Sequence, residues 1–227
     1  MKKYYIFDFH NFWWSDKILQ IETKKKLNNW DLFEINWNYF LNLWEKINRE
    51  TLYKYSKTIE TKQIKIIEKN FFQDKTIKLV HWLVKQYFTT YKNVLKLFLP
   101  TFEINKILKY KTKKQKTIPN QKLIIFPDIR TAYNTTLSED IYYSWNTIIQ
   151  KIKLFWNIKT WKTQTLTCTH SLIFQDWLNL KEITIYHPHR WYYKNQQDPR
   201  YNTFEIVKFL KNLYNCDLNI INDLTIH

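Results

Sequence analysis

No glycine occurs anywhere in the 227 residues of this chain. Ordinary usage near 7% predicts about 16. The deficit constrains every turn, because positive φ is cheap only for glycine and partly accessible to Asn and Asp. Tryptophan, by contrast, appears 11 times. One explanation is that the source reads UGA as glycine, so that tryptophan in the translated sequence stands for glycine at some positions. The rival is drift in an AT-rich genome, since every standard glycine codon begins with GG. Ordinary tryptophan codons beneath Trp30 and Trp44 would favour drift.

The chain is long enough for one large domain or two small ones, and its pattern predicts two. Lys and Arg number 36 against 20 Asp and Glu, a formal net charge of +16. Such a surface collects phosphate backbones by releasing their counterions, so nucleic acid is the expected partner. An AT-rich genome also inflates lysine, which leaves a bland reading of the same charge. No apolar run approaches the roughly 18 residues of a membrane span, and the N-terminus lacks a signal-peptide pattern. A cytoplasmic location without membrane attachment is expected, and Cys168 and Cys216 do not suggest a disulfide framework.

Along residues 1–60, alternations such as Asp31-Leu32-Phe33-Glu34-Ile35 and Tyr39-Phe40-Leu41 have the period of half-buried strands. Ile77, Val80, Leu83, Val84, Tyr87 and Phe88, then Val94, Leu95 and Phe98, recur at helical spacing before Pro100, predicting a helical pair. Residues 105–122 hold seven lysines and no acid, the composition of a solvated linker or a phosphate-tracking arm. Beyond it, Leu123 to Phe126, Thr165 to Cys168 and Ile183 to Tyr186 predict strands. Ile148, Ile149, Ile152 and Phe155 lie on a helix between them, and Phe204, Val207, Leu210 and Leu213 on a last one. The expected fold class is α/β, or α+β over the whole chain. A β module with the helical pair spans 1–104, a basic linker 105–122, and an α/β lobe with a mainly parallel sheet 123–227.

One block carries a family resemblance: Thr169-His170-Ser171-Leu172-Ile173-Phe174, Asn179-Leu180, Ile183 to Tyr186 followed by His187-Pro188-His189, Tyr193-Lys194, and Pro199-Arg200-Tyr201. It resembles a block of the PriA family of primosomal helicases, which reads Gly-Thr-Arg-Ser-Ala-Ile-Phe, Asn-Leu, a strand ending in Asp-Glu-Glu-His, Tyr-Lys and Pro-Arg-Tyr. Upstream, Leu123 to Ile129 is similar to the family strand ending in Pro-Glu-Ile. Leu79 to Pro100 is similar to the helical pair after its 3′-end DNA-binding domain. Trp30 and Trp44 stand where that family has glycine, and Phe7-Asp8-Phe9 is similar to a Phe-Asp-Tyr of the 3′-end pocket. The resemblance implies a shortened replication-restart protein that binds forked or single-stranded DNA, with other restart proteins as candidate partners.

The departures imply a lost motor. Only 22 residues separate Pro100 from Leu123, too few for the family's winged-helix module and phosphate loop. The pairs Lys111-Thr112, Lys116-Thr117 and Lys162-Thr163 lack the loop that would precede them. Tyr186-His187-Pro188-His189 replaces the acidic motif that would hold magnesium, and the chain ends at His227 before the family's zinc module and second lobe. The expectation is therefore DNA binding without a catalytic residue, ATP hydrolysis or cofactor. Cys168, His170, His187 and His189 form a candidate zinc set whose one-residue spacing is awkward, against a plain reading as solvent or backbone partners. Candidate phosphate contacts are Lys109, Lys111, Lys113, Lys114, Lys116, Arg190, Lys194 and Arg200, with Arg200 also placed to pair with Asp198 or Glu205. The alternatives are an ATP-dependent helicase subunit relying on a partner's phosphate loop, and a basic RNA-binding or ribosome-associated protein.

Overall fold

The computed structural model describes residues 2–9, 19–45, 58–60, 64–135, 141–189 and 191–222. They fall into two compact units: residues 1–72 with 102–105, and residues 73–101 with 106–227.

In the first unit the chain runs through β1 (Lys2–Asp8), β2 (Leu19–Thr23), β3 (Leu32–Ile35), β4 (Asn38–Glu45), β5 (Thr58–Glu60) and β6 (Lys65–Glu68). They form one sheet in the order β5-β2-β1-β4-β3-β6. Five strands pair antiparallel, and β5 joins the edge parallel to β2. The period-two pattern places Tyr4, Ile6, Ile21, Phe33, Ile35 and Phe40 in one buried cluster with Leu27 and Ile64. Their neighbours Tyr5, Phe7, Leu32, Leu41 and Leu43 are buried as well. The Phe102 ring packs on Phe7 and Phe9, each at 5.9 Å. Thus Phe7 and Phe9, singled out by the resemblance to a 3′-end pocket, are packing residues in this sheet. Trp44 lies within β4, in extended backbone.

The second unit begins with α1 (Asp74–Gln86) and α2 (Tyr91–Phe98), followed by the short α3 (Ile104–Lys109) at the division between units. Next come β7 (Gln121–Phe126), α4 (Ile129–Thr135), β8 (Ile141–Tyr142), α5 (Ile148–Lys159), β9 (Thr165–Thr169), β10 (Leu180–Tyr186), α6 (Thr203–Tyr214) and β11 (Asp217–Ile221). The sheet order is β11-β10-β7-β9-β8, and every pairing is parallel. This is the expected α/β class, with short apolar strands buried beneath helices. Thr147 and Gln150 close a reciprocal capping box at the start of α5, which fixes where that helix begins.

The structure redraws the expected boundaries. The helical pair belongs with the α/β unit rather than with the β module, because its apolar face is covered by α6 and the loop before β10. Trp82 stacks on Phe209 at 4.1 Å, and Phe98 meets Phe174 edge-on at 5.5 Å. Asp176 accepts a hydrogen bond from the Gln73 N–H at 2.9 Å and an ion pair from Lys159 Nζ at 2.7 Å. Nor is 105–122 a free linker. Ile107 is fully buried, and its carbonyl accepts from the Trp156 indole N–H at 2.6 Å. Among the described residues no helix is long and apolar enough to cross a membrane.

Candidate nucleic-acid interface

The lysine-rich segment before β7 finds hydrogen-bond partners at the end of α5. Thr112 Oγ1 lies 2.9 Å from Thr160 Oγ1, and the Gln115 N–H donates to the Thr160 carbonyl at 3.1 Å. Lys111 Nζ sits 5.8 Å from the centre of the Trp156 ring. The pinned segment leaves Lys109, Lys111, Lys113, Lys114 and Lys116 exposed. They stand beside the C-terminal end of a 12-residue helix, where the helix dipole favours cations. The result is a positive stripe on an anchored backbone, and the anchoring lowers the entropy that the main chain loses on gripping a polyanion.

The other candidates lie elsewhere. Lys194 and Arg200 follow the carboxyl end of β10, whereas the lysine stripe adjoins the amino ends of β7 and β9. The two groups are therefore separated along the strands by about 17–20 Å. Both Lys194 and Arg200 are exposed, and Arg190 lies outside the described residues. The expected pairing of Arg200 with Asp198 or Glu205 gives way to other contacts. Asp198 accepts from Thr89 at 3.0 Å and also from Asn93, and Glu205 accepts from Tyr87 at 3.2 Å.

At the carboxyl end of a doubly wound sheet, ligands usually bind where the strand order reverses. Here that place adjoins β7, and local chemistry turns phosphate away. Asp128 follows β7 and caps α4, accepting from the Thr131 N–H and from Thr131 Oγ1, each at 2.8 Å. A carboxylate thus occupies the helix N-terminus that a phosphate would need. The start of α6 is capped by Asn202 and carries Glu205 in its first turn. At the end of β10, the Tyr186 ring stacks on Phe126 at 4.3 Å, Pro188 is buried, and His189 is exposed. His187 takes a left-handed backbone with φ of 48°, and its N–H donates to the Ile221 carbonyl at 2.7 Å. No acid stands in that run.

The proposed zinc set does not assemble. Among the described residues no three His, Cys, Asp or Glu groups are placed to hold a metal. Cys168 is wholly buried in β9, and burial pushes its thiol well above the ordinary range, away from the thiolate that binds zinc. His170 has a buried Nδ1 without a hydrogen-bond partner, and desolvation holds its pKa below the usual value. The unfolded chain therefore takes up a proton near pH 6.5 that the folded protein resists. Stability is full above that pH and falls as the pH drops toward the lowered folded value. His81 shifts in the same direction through desolvation. The expected result is a melting temperature that declines between pH 7.5 and 5.5, with a shallower decline in His170→Gln; each pKa unit of lowering corresponds to about 1.4 kcal/mol.

Much of the block that carries the family resemblance is packing. Tyr193 is buried, and its hydroxyl lies 2.6 Å from the Tyr186 carbonyl and 3.3 Å from that of Ile125, joining the ends of β10 and β7. Phe174 meets Tyr201 edge-on at 4.9 Å. Sequence reasoning missed Arg130 and Tyr133, both exposed on α4 immediately after β7. Their signal was an Arg and an aromatic three residues apart, one helical turn.

A cleft of about 180 Å³ opens between α2, α5 and the turn after β9. Lys96, Lys151, Ser144, Ser171 and Gln175 supply its polar lining. Its volume falls below the roughly 300–1,000 Å³ of sites that enclose small molecules and cofactors, but a single phosphate group of a strand would fit. Compared with known proteins, the chain matches no protein-family model and gives no significant match to a curated sequence.

Proposed function

We propose that this chain binds forked or single-stranded DNA as a PriA-like factor of replication restart or primosome assembly, and that it neither hydrolyses ATP nor unwinds DNA. The observation that carries the reading is the stripe Lys109, Lys111, Lys113, Lys114 and Lys116, exposed on a segment held to the end of α5 by one backbone and one side-chain contact. Five exposed cations in eight residues suit a phosphate backbone better than a compact ligand. Tyr133 offers an exposed ring for base stacking, with Arg130, Lys194 and Arg200 in segments that follow β7 and β10. Asp128 at the start of α4 and the acid-free run at His187 support the absence of a motor, since phosphoryl transfer needs a phosphate cradle and a carboxylate-held metal.

The test joins two assays on the pure protein. Binding to forked DNA, blunt duplex and structured RNA is measured beside magnesium-dependent ATP hydrolysis. Preference for the fork or single strand with no hydrolysis above a protein-free blank is expected. Preferential RNA binding would select the ribosome-associated alternative, and ATP turnover or tight nucleotide binding would select the helicase subunit.

A further inference from the structure

Trp30, Trp37 and Trp161 have φ of 63°, 67° and 71°, a region that bulky residues almost never occupy. Asn36, Asn70, Asn215 and His187 share it, and those types tolerate it. Phe88 shares it too, with φ of 47°, so positive φ alone does not mark a glycine position.

Two of the tryptophans sit in local structures with a specific demand for glycine. Asn36 and Trp37 are the two-residue connection between β3 and β4, with Ile35 paired to Asn38. Both have positive φ, which defines the hairpin turn whose preferred pair is Asn-Gly. At the end of α5 the cap is Thr160. The Trp161 N–H donates to the Ile158 carbonyl at 3.1 Å, and the Lys162 N–H to that of Asn157 at 2.7 Å. That nested pair closes a helix through one left-handed residue, usually glycine, and Trp161 is that residue.

The side chains point the same way independently. Trp37 is 86% exposed, so its indole contributes little burial to offset the backbone cost. Trp161 has its indole N–H buried without a hydrogen-bond partner among the described residues, although buried indoles normally find one; its ring lies 5.7 Å from Lys114 Nζ. Trp156 is the contrast: helical, fully buried, and bonded through its indole N–H to Ile107. Trp30 shares the backbone conformation, but its ring is buried and packs on Phe72 at 6.0 Å, so there the side chain offsets the backbone cost.

We infer that the native protein carries glycine at positions 37 and 161, inserted at UGA codons that its source reads as glycine. Side-chain loss there removes no satisfied contact of consequence and relieves two backbone outliers. It also means that position 37 offers no ring for stacking bases.

The direct test reads the two codons and the masses of the peptides that contain these positions, in protein isolated from its source. UGA codons with glycine-mass peptides are expected. UGG beneath either position, or tryptophan in either peptide, would overturn the assignment. A second test uses recombinant chain: Trp37→Gly and Trp161→Gly should each lower the unfolded-to-folded ratio roughly threefold to tenfold, the strain relieved less the added freedom of the unfolded chain. Trp145→Gly serves as control, being 89% exposed with no positive φ, and should raise that ratio. If Trp37→Gly and Trp161→Gly raise it as the control does, the glycine demand read from the backbone is refuted.

Discussion

Asp176→Asn is expected to destabilise the α/β unit by about 3–5 kcal/mol, the usual cost of breaking a buried ion pair from one side. Lys159 Nζ lies 2.7 Å from Asp176 Oδ2, and the two side chains are only 4% and 0% exposed. The other carboxylate oxygen accepts the Gln73 N–H at the start of α1. A single buried carboxylate thus joins α5, the loop before β10 and the helical pair. Neutralising it leaves an ammonium in a dry site and weakens the tie to α1. Lys159→Met should cost a similar amount, because the carboxylate is then the uncompensated charge. The double variant Lys159→Met/Asp176→Asn should cost much less than the sum, because neither charge is then left buried without its partner. Urea unfolding of the four proteins checks this cycle. Additive losses would show that the pair does not act as a unit.

Replacing Lys109, Lys111, Lys113, Lys114 and Lys116 together by Gln should leave the fold intact, since Ile107, Thr112 and Gln115 hold the segment. DNA affinity should collapse. With each lysine matched to one phosphate of a single strand, the loss removes about 3.5 from the magnitude of the log–log salt slope. A control removes five exposed lysines elsewhere, Lys24, Lys26, Lys69, Lys153 and Lys211, for the same change in net charge. Isothermal binding at several salt concentrations separates the two: a placed stripe makes the first variant far weaker, while diffuse attraction makes both equally weak.

What could be read from the residues follows from how local each signal is. Leu123 to Phe126, Thr165 to Cys168 and Ile183 to Tyr186 are short apolar runs between polar turns, and they form β7, β9 and β10 within a residue or three of the expected bounds. The helix over Phe204 to Leu213 is equally local and becomes α6. The α4–β8 connection and β11 escaped, because α4 has only Ala132 as a buried helical position and β11 is mostly exposed. The helical pair was placed with the wrong unit for a different reason. Periodicity shows that Leu79, Val80 and Leu83 need a covering surface, but the contacts that tie the helical pair to its unit reach more than a hundred residues on, from Gln73 to Asp176, Thr89 to Asp198 and Trp82 to Phe209. The lysine arm misled in the opposite direction. Charge marked it as solvated, while the contacts that pin it are made by its backbone and by Thr112, which composition does not reveal.

The site was half legible. Net charge pointed to a polyanion, and the lysine run named the stripe. Sequence gave no sign that Lys194 and Arg200 lie at the opposite end of the sheet, because that follows from the direction of α5 relative to β9. Asp128 as a helix cap went unread, although an acid directly after a strand and before a helix is a recognisable pattern.

The most direct test of the whole account is the salt dependence of binding to a DNA fork with a single-stranded arm, measured on the unaltered chain between 50 and 200 mM salt, the range over which such contacts are read. The five-lysine stripe alone predicts a slope of about −3.5 and an affinity loss of about a hundredfold across that range. A slope near zero, with affinity unchanged by salt, would contradict it.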